Sequence, residues 1–371
     1  MRIGVISTVG GYSWAGTEEV WKQMGLRALA DGHSLVVSAT PEICASTELA
    51  ELRSRGLRIH PREQLNGLTR RFAIRGLLNR YASFWRERPD IVCLSMGSPT
   101  DYVWLPDLQR SLQRTRIPVI PFIHGNADGF IADEAQRIIL RKLYGESPIL
   151  IMLSRDNQAM LERQLAIRLP NVVLLSNPVR NTLQDPLPWP RSDDAVRFAN
   201  VARFEVIHKC QDHLLEAFAQ PLWKNRNWSL TLFGSGPDET HIKALREMYG
   251  LHDRVTLGGY VRDFRQIWKN NHIHVLPSRA EGQSLALLES TLCGRPAIVT
   301  PAGGHADYIL DGQHGFVSPS SRSEFLSATL DRAWEARREW ANMGLAAHNR
   351  AKEHIAGDPS QSFLSVLLAH A

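Results

Sequence analysis

A short turn between a predicted strand and a predicted helix carries the residue types needed to hold a phosphate. The apolar run 273–276 predicts a buried strand, and residues 282–285 follow it at the start of a helix. The first N–H groups of a helix lack partners and lie at the positive end of its dipole, so they attract anions. The residues predicted to present these groups are Gly282, Gln283, Ser284 and Leu285.

Two glutamates flank this turn, Glu281 before it and Glu289 eight positions later. Glu289 lies roughly 7 to 8 Å further along the helix, at about 1.5 Å per residue. At that separation Glu289 can accept hydrogen bonds from ribose hydroxyls while Glu281 accepts one from a sugar hydroxyl. Two glutamates on one helix are more often a solvated face, so this interpretation as a sugar-nucleotide pocket depends on the rest of the chain.

The length and composition indicate a globular protein of two domains, with a cleft between them. A chain of 371 residues is too long for one ordinary core. Its hydrophobic content is 43% and its charged content 22%, and no apolar run approaches the roughly 18 residues of a membrane span. The chain enters a strand pattern directly, without an apolar signal region, and its four cysteines show no pairing framework. We therefore expect reduced thiols and a cytoplasmic location.

Positive charge is concentrated in residues 53–88, which contain ten arginines and only two acidic residues, Glu63 and Glu87. Aromatic and aliphatic residues lie between the arginines, as on a basic amphipathic surface that binds anionic lipid headgroups or a phosphorylated acceptor. A solvated helix face beside the core is an equally good interpretation. Nucleic acid is not expected as a partner, because no nucleic-acid-binding motif accompanies the charge.

Short continuous apolar runs alternate with segments of helical period, as in parallel sheets covered by helices on both faces. In the first half the predicted strands are 2–7, 34–39, 90–95, 117–123, 149–153 and 171–176, with helices at 17–30, 133–144 and 156–166. In the second half the predicted strands are 196–202, 229–234, 255–257, 273–276, 296–299 and 315–317, with helices at 211–220, 238–249, 263–270, 284–293 and 322–340. The pattern predicts an α/β fold with two doubly wound, Rossmann-like domains.

The alternation stops in a proline-rich stretch that sustains neither element, and we place the boundary between the domains there. The predicted domains are residues 1–180 on the acceptor side and residues 196–345 on the nucleotide-sugar side, joined by a linker at 181–195. Residues 346–371 are predicted to form a helical tail that can pack across the domains.

Taken together, the second half of the chain resembles the family 4 (group 1) glycosyltransferases of the GT-B fold, in which two such domains face a central cleft. An arginine followed by a lysine before a helix matches the family pattern at Arg203 and Lys209. The resemblance implies that both residues bind the donor diphosphate. A forked guanidinium and an ammonium at one site are suited to neutralising a pyrophosphate leaving group.

Other segments match the family at single positions. Gly234 lies in a turn similar to the family's glycine turn. The same turn begins like the GxGxxG fingerprint of dinucleotide sites, but Glu239 replaces the third glycine, so we reject a dinucleotide site. Tyr260 or Val261 would border the nucleobase, with core packing an equal alternative for Val261. Asp307 stands where the family usually has glutamate, which leaves its role open.

The first half resembles the family at two places. A glycine-rich loop follows the first strand and includes Gly11 and Gly16, which would approach a donor phosphate or the acceptor. His124 directly follows a strand, like the family histidine that faces the transferred sugar. The predicted catalytic residues are therefore Glu281, His124, Arg203 and Lys209.

The resemblance implies a retaining transfer of a hexose from a nucleotide-diphosphate sugar, the co-substrate, to a hydroxyl of a saccharide or lipid-linked acceptor. The expected setting is polysaccharide or glycolipid biosynthesis, with possible peripheral binding to an anionic membrane through residues 53–88. The chain contains no Asp-x-Asp motif and no cluster with metal-site spacing, so we expect neither a metal nor another cofactor. The alternatives are a GT-B nucleotide-sugar epimerase and a non-catalytic sugar-nucleotide-binding protein.

Overall fold

The computed structural model describes residues 1–10, 14, 16–179, 183–191, 195–355 and 357–371. The chain divides into two compact units. Unit 1 contains Met1–Pro178 together with Gly357–Ala371, and unit 2 contains Val179–Ala356.

Unit 1 is built on a seven-stranded parallel sheet. Its strands are Arg2–Ser7 (β1), Ser34–Ala39 (β2), Arg58–Pro61 (β3), Ile91–Met96 (β4), Val119–Ile123 (β5), Leu150–Met152 (β6) and Val172–Leu174 (β7). The strands are arranged in the order β3-β2-β1-β4-β5-β6-β7. The helices between them are Gly16–Ala30 (α1), Pro41–Cys44 (α2), Ala50–Ser54 (α3), Gly67–Ile74 (α4), Ala82–Arg86 (α5), Pro106–Arg114 (α6), Glu134–Glu146 (α7) and Arg155–Leu165 (α8), with 3-10 turns at Thr47–Leu49 and Asp101–Trp104.

Each face of this sheet is covered by its own apolar cluster, because successive side chains of a strand point to opposite faces. Ile3 and Val5 of β1 pack with Trp21 of α1, whereas Ile6 of the same strand packs with Tyr81 and other residues on the opposite face. Burial on both faces explains why the strands appear in the sequence as continuous apolar runs.

Unit 2 is built on a six-stranded parallel sheet. Its strands are Val196–Val201 (β8), Trp228–Phe233 (β9), Val255–Gly259 (β10), Ile273–Leu276 (β11), Ala297–Val299 (β12) and Gly315–Val317 (β13). They are arranged in the order β10-β9-β8-β11-β12-β13. The helices are Val206–Lys209 (α9), Gln211–Phe218 (α10), Glu239–Met248 (α11), Phe264–Trp268 (α12), Leu285–Leu292 (α13), His305–Tyr308 (α14), Ser323–Glu335 (α15) and Trp340–His354 (α16), with 3-10 turns at Pro221–Trp223 and Arg337–Glu339.

In unit 2 the strand order reverses direction at β8, which pairs with β9 on one side and with β11 on the other. The loops that leave β8 and β11 therefore diverge at the carboxyl edge of the sheet, and ligands of doubly wound sheets bind in the crevice formed there. The same reversal occurs in unit 1 between β1 and β4. The predicted α/β class with two doubly wound sheets is confirmed.

The C-terminal tail forms two helices that belong to different units. Helix α16 packs closely on unit 2, where a Cβ added at Gly344 would lie 2.1 Å from the carbonyl oxygen of Gly294. The last helix, Pro359–Leu368 (α17), lies in unit 1, and it places Phe363 and Leu364 in the apolar cluster of β1 and α1. The chain therefore returns to the unit in which it begins.

The described part of the proline-rich stretch, residues 183–191, packs on unit 2. Arg295, 1% exposed, donates from Nη2 to the carbonyl oxygen of Pro188 at 2.7 Å. Its guanidinium also lies 5.3 Å from the ring of Trp189. Leu187 donates its N–H to the carbonyl oxygen of Cys293. These contacts fix this segment against the loop that precedes β12.

Two buried histidines, one in each unit, are held in the neutral form. His274 on β11 is 0% exposed and His124 after β5 is 7% exposed. Burial lowers the pKa of each imidazole to about 3, because desolvation disfavours the charged ring. A histidine of the unfolded chain has a pKa of about 6.5. Both groups therefore bind a proton more readily in the unfolded state than in the native state.

We expect stability to fall on acidification because of these two histidines. A histidine with a depressed native pKa contributes stability that is fully present above about pH 6.5 and is lost as the pH falls towards 3, at up to about 1.4 kcal/mol per pH unit for each ring. His124→Gln and His274→Gln should each flatten the pH dependence of the unfolding free energy, measured by urea denaturation between pH 7 and pH 5. His241→Gln, at an exposed position, is the matched control. Equal slopes in all three variants would contradict the assignment.

Candidate functional site

The loops that follow β8 and β11 leave in opposite directions but are in contact at the carboxyl edge of the unit 2 sheet. The N–H of Arg279, after β11, donates to the carbonyl oxygen of His208, after β8, at 2.8 Å. The short helix α9 ends at Lys209, directly after His208, so this backbone contact fixes the position of Lys209 at the edge of the sheet. Residues more than seventy positions apart in the sequence are thereby brought to one point of the fold.

Lys209 and Glu281 form an ion pair at this junction. The Nζ atom of Lys209 lies 2.6 Å from Oε1 of Glu281, and the side chains are 20% and 9% exposed. Ser278 donates from Oγ to the same carboxylate oxygen at 2.7 Å. Such charge-assisted hydrogen bonds are short and strong, so the Glu281 carboxylate is held in one orientation.

The surroundings of Glu281 keep its carboxylate ionised. Burial on its own would raise the pKa of Glu281, but the positive charge of Lys209 and the hydrogen bonds from Lys209 and Ser278 hold that pKa below its ordinary value. The carboxylate therefore acts only as a hydrogen-bond acceptor at neutral pH.

Arg203 lies in the same loop after β8, where its Nη2 forms an ion pair with the carboxylate of Glu205. The side chain of Arg203 is 25% exposed. His208 lies close enough to these charged groups for all of them to affect its pKa. Desolvation lowers the pKa of His208, Lys209 and Arg203 lower it further, and Glu205 and Glu281 oppose the shift. Arg203, Lys209 and Glu281 therefore all lie near His208, and their roles in binding stay predictions.

The turn that the sequence predicts to bind phosphate has the geometry of a helix start. Ser284 is the N-cap of α13, and its Oγ accepts from the N–H of Leu287 at 3.3 Å. The N–H groups of Leu285 and Ala286 precede the first intrahelical bond, so they are available to an anion. Gly282, Gln283 and Ser284 are all buried. This arrangement is one that binds phosphate in other proteins.

A second loop supports this turn through its backbone. The N–H of Gly304 donates to the carbonyl oxygen of Gly282 at 2.7 Å. Gly303 adopts a φ of +54°, and a Cβ at that position would lie 2.4 Å from the carbonyl oxygen of Glu281. Only glycine fits there without moving the turn. Gly303 and Gly304 thus shape the turn that contains Glu281.

The glycine turn after β9 has a comparable structural role. A Cβ at Gly234 would lie 2.0 Å from the carbonyl oxygen of Ala202, and one at Gly236 would lie 2.3 Å from that of Phe204. The turn therefore packs directly on the backbone that flanks Arg203. A direct contact of Gly234 with a nucleotide stays a prediction.

The remaining predicted residues of unit 2 lie at its edge or along α13. Glu289 is half-buried on α13. Tyr260 is 67% exposed just after β10, so its ring is open to a ligand. Val261 is partly buried and packs against the cluster that contains Phe264 and Trp268. Their nucleotide contacts also stay predictions.

Several residues that hold the Glu281 turn were not identified from the sequence. Ser278 bonds the carboxylate, and the hydroxyl of Thr300 donates to the carbonyl oxygen of Ser278. His305 is fully buried, and its Nδ1 lies 2.9 Å from the carbonyl oxygen of Thr300. Asp307, whose role was open, is half-buried on α14. Ser278 could have been found from its position three residues before Glu281, whereas the Thr300 contact has no local signal.

In unit 1, His124 follows β5 as predicted. Its Nε2 lies 3.0 Å from Oγ of Ser95, and its ring stacks on Phe122 at 4.0 Å between centroids. The neutral imidazole can still offer Nδ1, which has no partner among the described residues. A contact with a sugar is thus compatible with its geometry and is not yet tested.

The glycine-rich loop after β1 can be described only in part. Gly11 lies outside the described residues, whereas Gly16 is the exposed first residue of α1. Two residues later, α1 contains Glu18, a buried carboxyl group that was not singled out from the sequence. Ser7 donates to Oε1 of Glu18 at 3.0 Å and Thr17 donates to Oε2 at 2.5 Å. Desolvation raises the pKa of Glu18, against the effect of these hydrogen bonds.

Two classes of feature were not found in the part of the chain that the structure describes. No three His, Cys, Asp or Glu side chains are grouped so that they could hold a metal ion. Among the same residues, no helix is both long and apolar enough to cross a bilayer.

Comparison with known proteins identifies unit 2 as a known kind of domain. Residues 195–335 match the family "Glycosyl transferases group 1". This region contains both loops of the site, including Arg203, Lys209, Glu281 and Glu289.

Two curated relatives match the chain over part of their length. An exopolysaccharide phosphotransferase of Streptomyces coelicolor is 29% identical over 185 residues, covering 49% of this chain and 19% of the relative. The alpha-D-kanosaminyltransferase of Streptomyces kanamyceticus is 28% identical over 123 residues, covering 33% of this chain and 32% of the relative. The chain thus spans less than a third of the length of each.

A solved structure matches over the whole length. Anabaena HepE in complex with UDP-glucose superposes with a TM-score of 0.76 at 15% sequence identity, and 100% of each chain is covered. At that identity the match shows the fold alone, and the fold is GT-B. The chain therefore has the GT-B fold, and its residues 195–335 match the group 1 glycosyltransferase family.

Proposed function

We propose that the chain is a retaining glycosyltransferase that moves a hexose from a nucleotide-diphosphate sugar to a hydroxyl of a saccharide or lipid-linked acceptor, in polysaccharide or glycolipid biosynthesis. The observation that carries this proposal is the Lys209–Glu281 ion pair beside Arg203, at the switch point of a doubly wound sheet. The family of unit 2, and a structural relative solved with UDP-glucose, support this activity.

In this proposal the donor diphosphate binds at the start of α13. The N–H groups of residues 283–285 donate to its oxygens, and Arg203 and Lys209 neutralise its charge. Glu281 accepts a hydrogen bond from a sugar hydroxyl and Glu289 accepts from the ribose. No cofactor is required, because the nucleotide sugar is itself a substrate.

The chemical problem is one of charge separation. The bond between the anomeric carbon and the diphosphate oxygen breaks, and its electron pair stays on that oxygen. Positive character grows on the sugar, as it does in glycoside hydrolysis. The acceptor oxygen attacks from the face that the leaving group vacates, and the departing phosphate oxygen takes the acceptor proton. The configuration at the anomeric carbon is therefore retained.

The cations act mainly in the transition state. The diphosphate becomes more negative as the bond breaks, so Arg203, Lys209 and the helix N–H groups stabilise it more than they stabilise the bound substrate. Glu281 has a different role, because its carboxylate is already held by Lys209 and Ser278. It positions the donor sugar and does not form a covalent intermediate.

Replacement of either member of the ion pair should strongly reduce the rate of transfer. We expect Lys209→Met and Glu281→Gln each to lower kcat by about 10²–10³, the size measured for the loss of one preorganised electrostatic group. The assay is transfer from UDP-glucose and other nucleotide sugars. Lys243→Met removes an exposed lysine of the same unit and is the matched control. Wild-type turnover in either site variant would disprove the assigned roles.

The same assay separates the alternative functions. A nucleotide-sugar epimerase would convert the donor without any acceptor. A binding protein without catalysis would bind UDP and show neither hydrolysis nor transfer. Either result would replace the transferase proposal while leaving the nucleotide-binding role of Arg203 and Lys209 intact.

We also propose that transfer is independent of metal, because the two cations and the helix start can supply the charge that a divalent ion would otherwise supply. Activity in excess EDTA should then equal activity with added magnesium within about twofold. If a divalent ion were needed, its removal would cost several kcal/mol of charge stabilisation and the loss of activity would be far larger. The comparison requires enzyme dialysed against chelator beforehand. Loss of turnover in EDTA, restored by magnesium, would contradict this proposal.

A membrane-bound acceptor remains part of the proposal, but the structure narrows the surface that could contact a membrane. Arg62 and Arg80 of the arginine-rich stretch are buried, while Arg55 and Arg58 pair with acidic residues. The exposed remainder is centred on α4. We define the α4 patch as Leu68, Arg70, Arg71, Phe72, Ile74, Arg75 and Leu77.

The α4 patch combines exposed apolar side chains with positive charge. Leu68, Ile74 and Leu77 are 63%, 58% and 71% exposed. Three arginines lie among them, and α4 contains no acidic residue in its first turn. Apolar side chains that insert between headgroups, flanked by arginines that contact lipid phosphates, are typical of interfacial helices. We propose that this patch binds an anionic membrane surface.

Vesicle binding tests the patch. The chain should bind vesicles rich in phosphatidylserine at low salt, and Arg70→Gln with Arg71→Gln should weaken binding by about tenfold or more, at about 1 kcal/mol per arginine. Arg55→Gln removes an exposed charge outside the patch and serves as control. Equal sedimentation of all proteins with neutral and anionic vesicles, or no binding at low salt, would remove the membrane from the proposal.

A further inference from the structure

Arg62 is a buried cation with few partners. Arg62 is 3% exposed, and its Nη2 donates to the carbonyl oxygen of Ser7. Its Nε is buried without any hydrogen-bond partner. Among the described residues, no carboxylate pairs with Arg62. Few acceptors thus serve a group that carries five N–H donors.

The other buried arginines of the chain show how such a group is normally satisfied. Arg80 donates from Nε and Nη2 to the two carboxylate oxygens of Asp107, at 2.8 and 2.9 Å. Arg295 donates to carbonyl oxygens that include those of Trp268, Cys293 and Pro188. Arg62 has neither a carboxylate nor such a set of carbonyl groups.

An incompletely paired guanidinium is unfavourable in the interior. Moving a charge out of water is costly unless it is paired and hydrogen-bonded. The ring of Tyr81, whose centroid lies 5.1 Å from Cζ of Arg62, offsets part of that cost by a cation–π contact. The unpaired N–H groups remain, and they are donors suited to an oxyanion.

Three hydroxyl groups, those of Ser38, Thr40 and Tyr81, are also buried without a hydrogen-bond partner of normal geometry. Ser38 lies on β2 and Thr40 directly follows this strand, two residues later. By alternation, their side chains lie on the face where Val36 packs in one cluster with Tyr81. The N–H of Arg62 donates to the carbonyl oxygen of Ala39, between these two residues, at 2.8 Å. Four unsatisfied polar groups are thus gathered on one face of the sheet.

This cluster lies where unit 1 would bind a ligand. Thr40 follows β2 and Arg62 follows β3, at the carboxyl edge of the sheet. Gly10, at the start of the glycine-rich loop, lies close to Thr40, since a Cβ there would be 3.6 Å from the Thr40 methyl group. Ligands of doubly wound sheets bind at this edge.

We propose that Arg62, with the hydroxyls of Ser38, Thr40 and Tyr81, binds an oxyanion carried by the acceptor, a phosphate or a carboxylate. This inference rests on the proposed function and on the prediction that residues 1–180 form the acceptor side. A planar guanidinium donates to two oxygens of either group side by side, and three hydroxyl donors can complete the oxyanion's hydrogen bonds. The acceptor is then an acidic saccharide or a phosphorylated one.

Titration of the full chain with inorganic phosphate tests the site, with ³¹P NMR line width as the readout. The wild type should show two phosphate sites, one of which is the donor site in unit 2. Arg62→Gln should weaken one site at least tenfold and leave UDP binding unchanged. Lys209→Met should have the opposite effect, so failure of the donor site and failure of the Arg62 site are distinguishable. Arg55→Gln is the charge-matched control.

Two milder variants keep the test valid if Arg62→Gln does not fold. Thr40→Val and Tyr81→Phe each remove one hydroxyl and conserve shape, and each should weaken the same phosphate site about threefold or more. Competition by glucuronate at this site would identify a carboxylate as the preferred oxyanion, and its absence would identify phosphate. Identical phosphate titrations for the wild type, Arg62→Gln and Tyr81→Phe, with neither phosphate nor glucuronate bound outside unit 2, would overturn the inference.

Discussion

The ion pair between Lys209 and Glu281 joins two loops that leave the sheet in opposite directions, and the rest of the site is arranged around it. Its 2.6 Å contact is largely withdrawn from water. A buried pair of this kind adds little net stability, because desolvation offsets the Coulomb attraction. Its effect is on geometry: the ammonium and the carboxylate are fixed in one orientation before any ligand arrives.

The backbone, more than the side chains, determines where this pair lies. Arg279 bonds the end of α9, and Gly303 permits a close approach that any side chain would prevent. In the same way, a side chain at Gly234 or Gly236 would clash with the backbone on either side of Arg203. The glycines of this unit therefore set the distances between the charged groups.

Much of unit 2 could be predicted because its strands are buried on both faces. Strands 273–276 and 315–317 were predicted with the bounds that the structure has, and Arg203, Lys209 and Glu281 were identified from residue type and a family resemblance. The short helices α9 and α14 were missed, since four residues are too few to show a helical period. Strand β3 was missed because its sequence, Arg58–Pro61, is polar and lies at the sheet edge. The contacts of Ser278 and Thr300 depend on the tertiary fold and have no sequence signal.

The return of α17 to unit 1 affects how the chain can fold during synthesis. Domains usually fold in order as they leave the ribosome. Here Phe363, Leu364 and Leu367 belong to the same apolar cluster as β1 and Trp21. The apolar cluster of unit 1 therefore lacks these three side chains until the intervening Rossmann-like unit has been synthesised. Unit 1 begins first along the chain, yet its core is completed after unit 2 has been made.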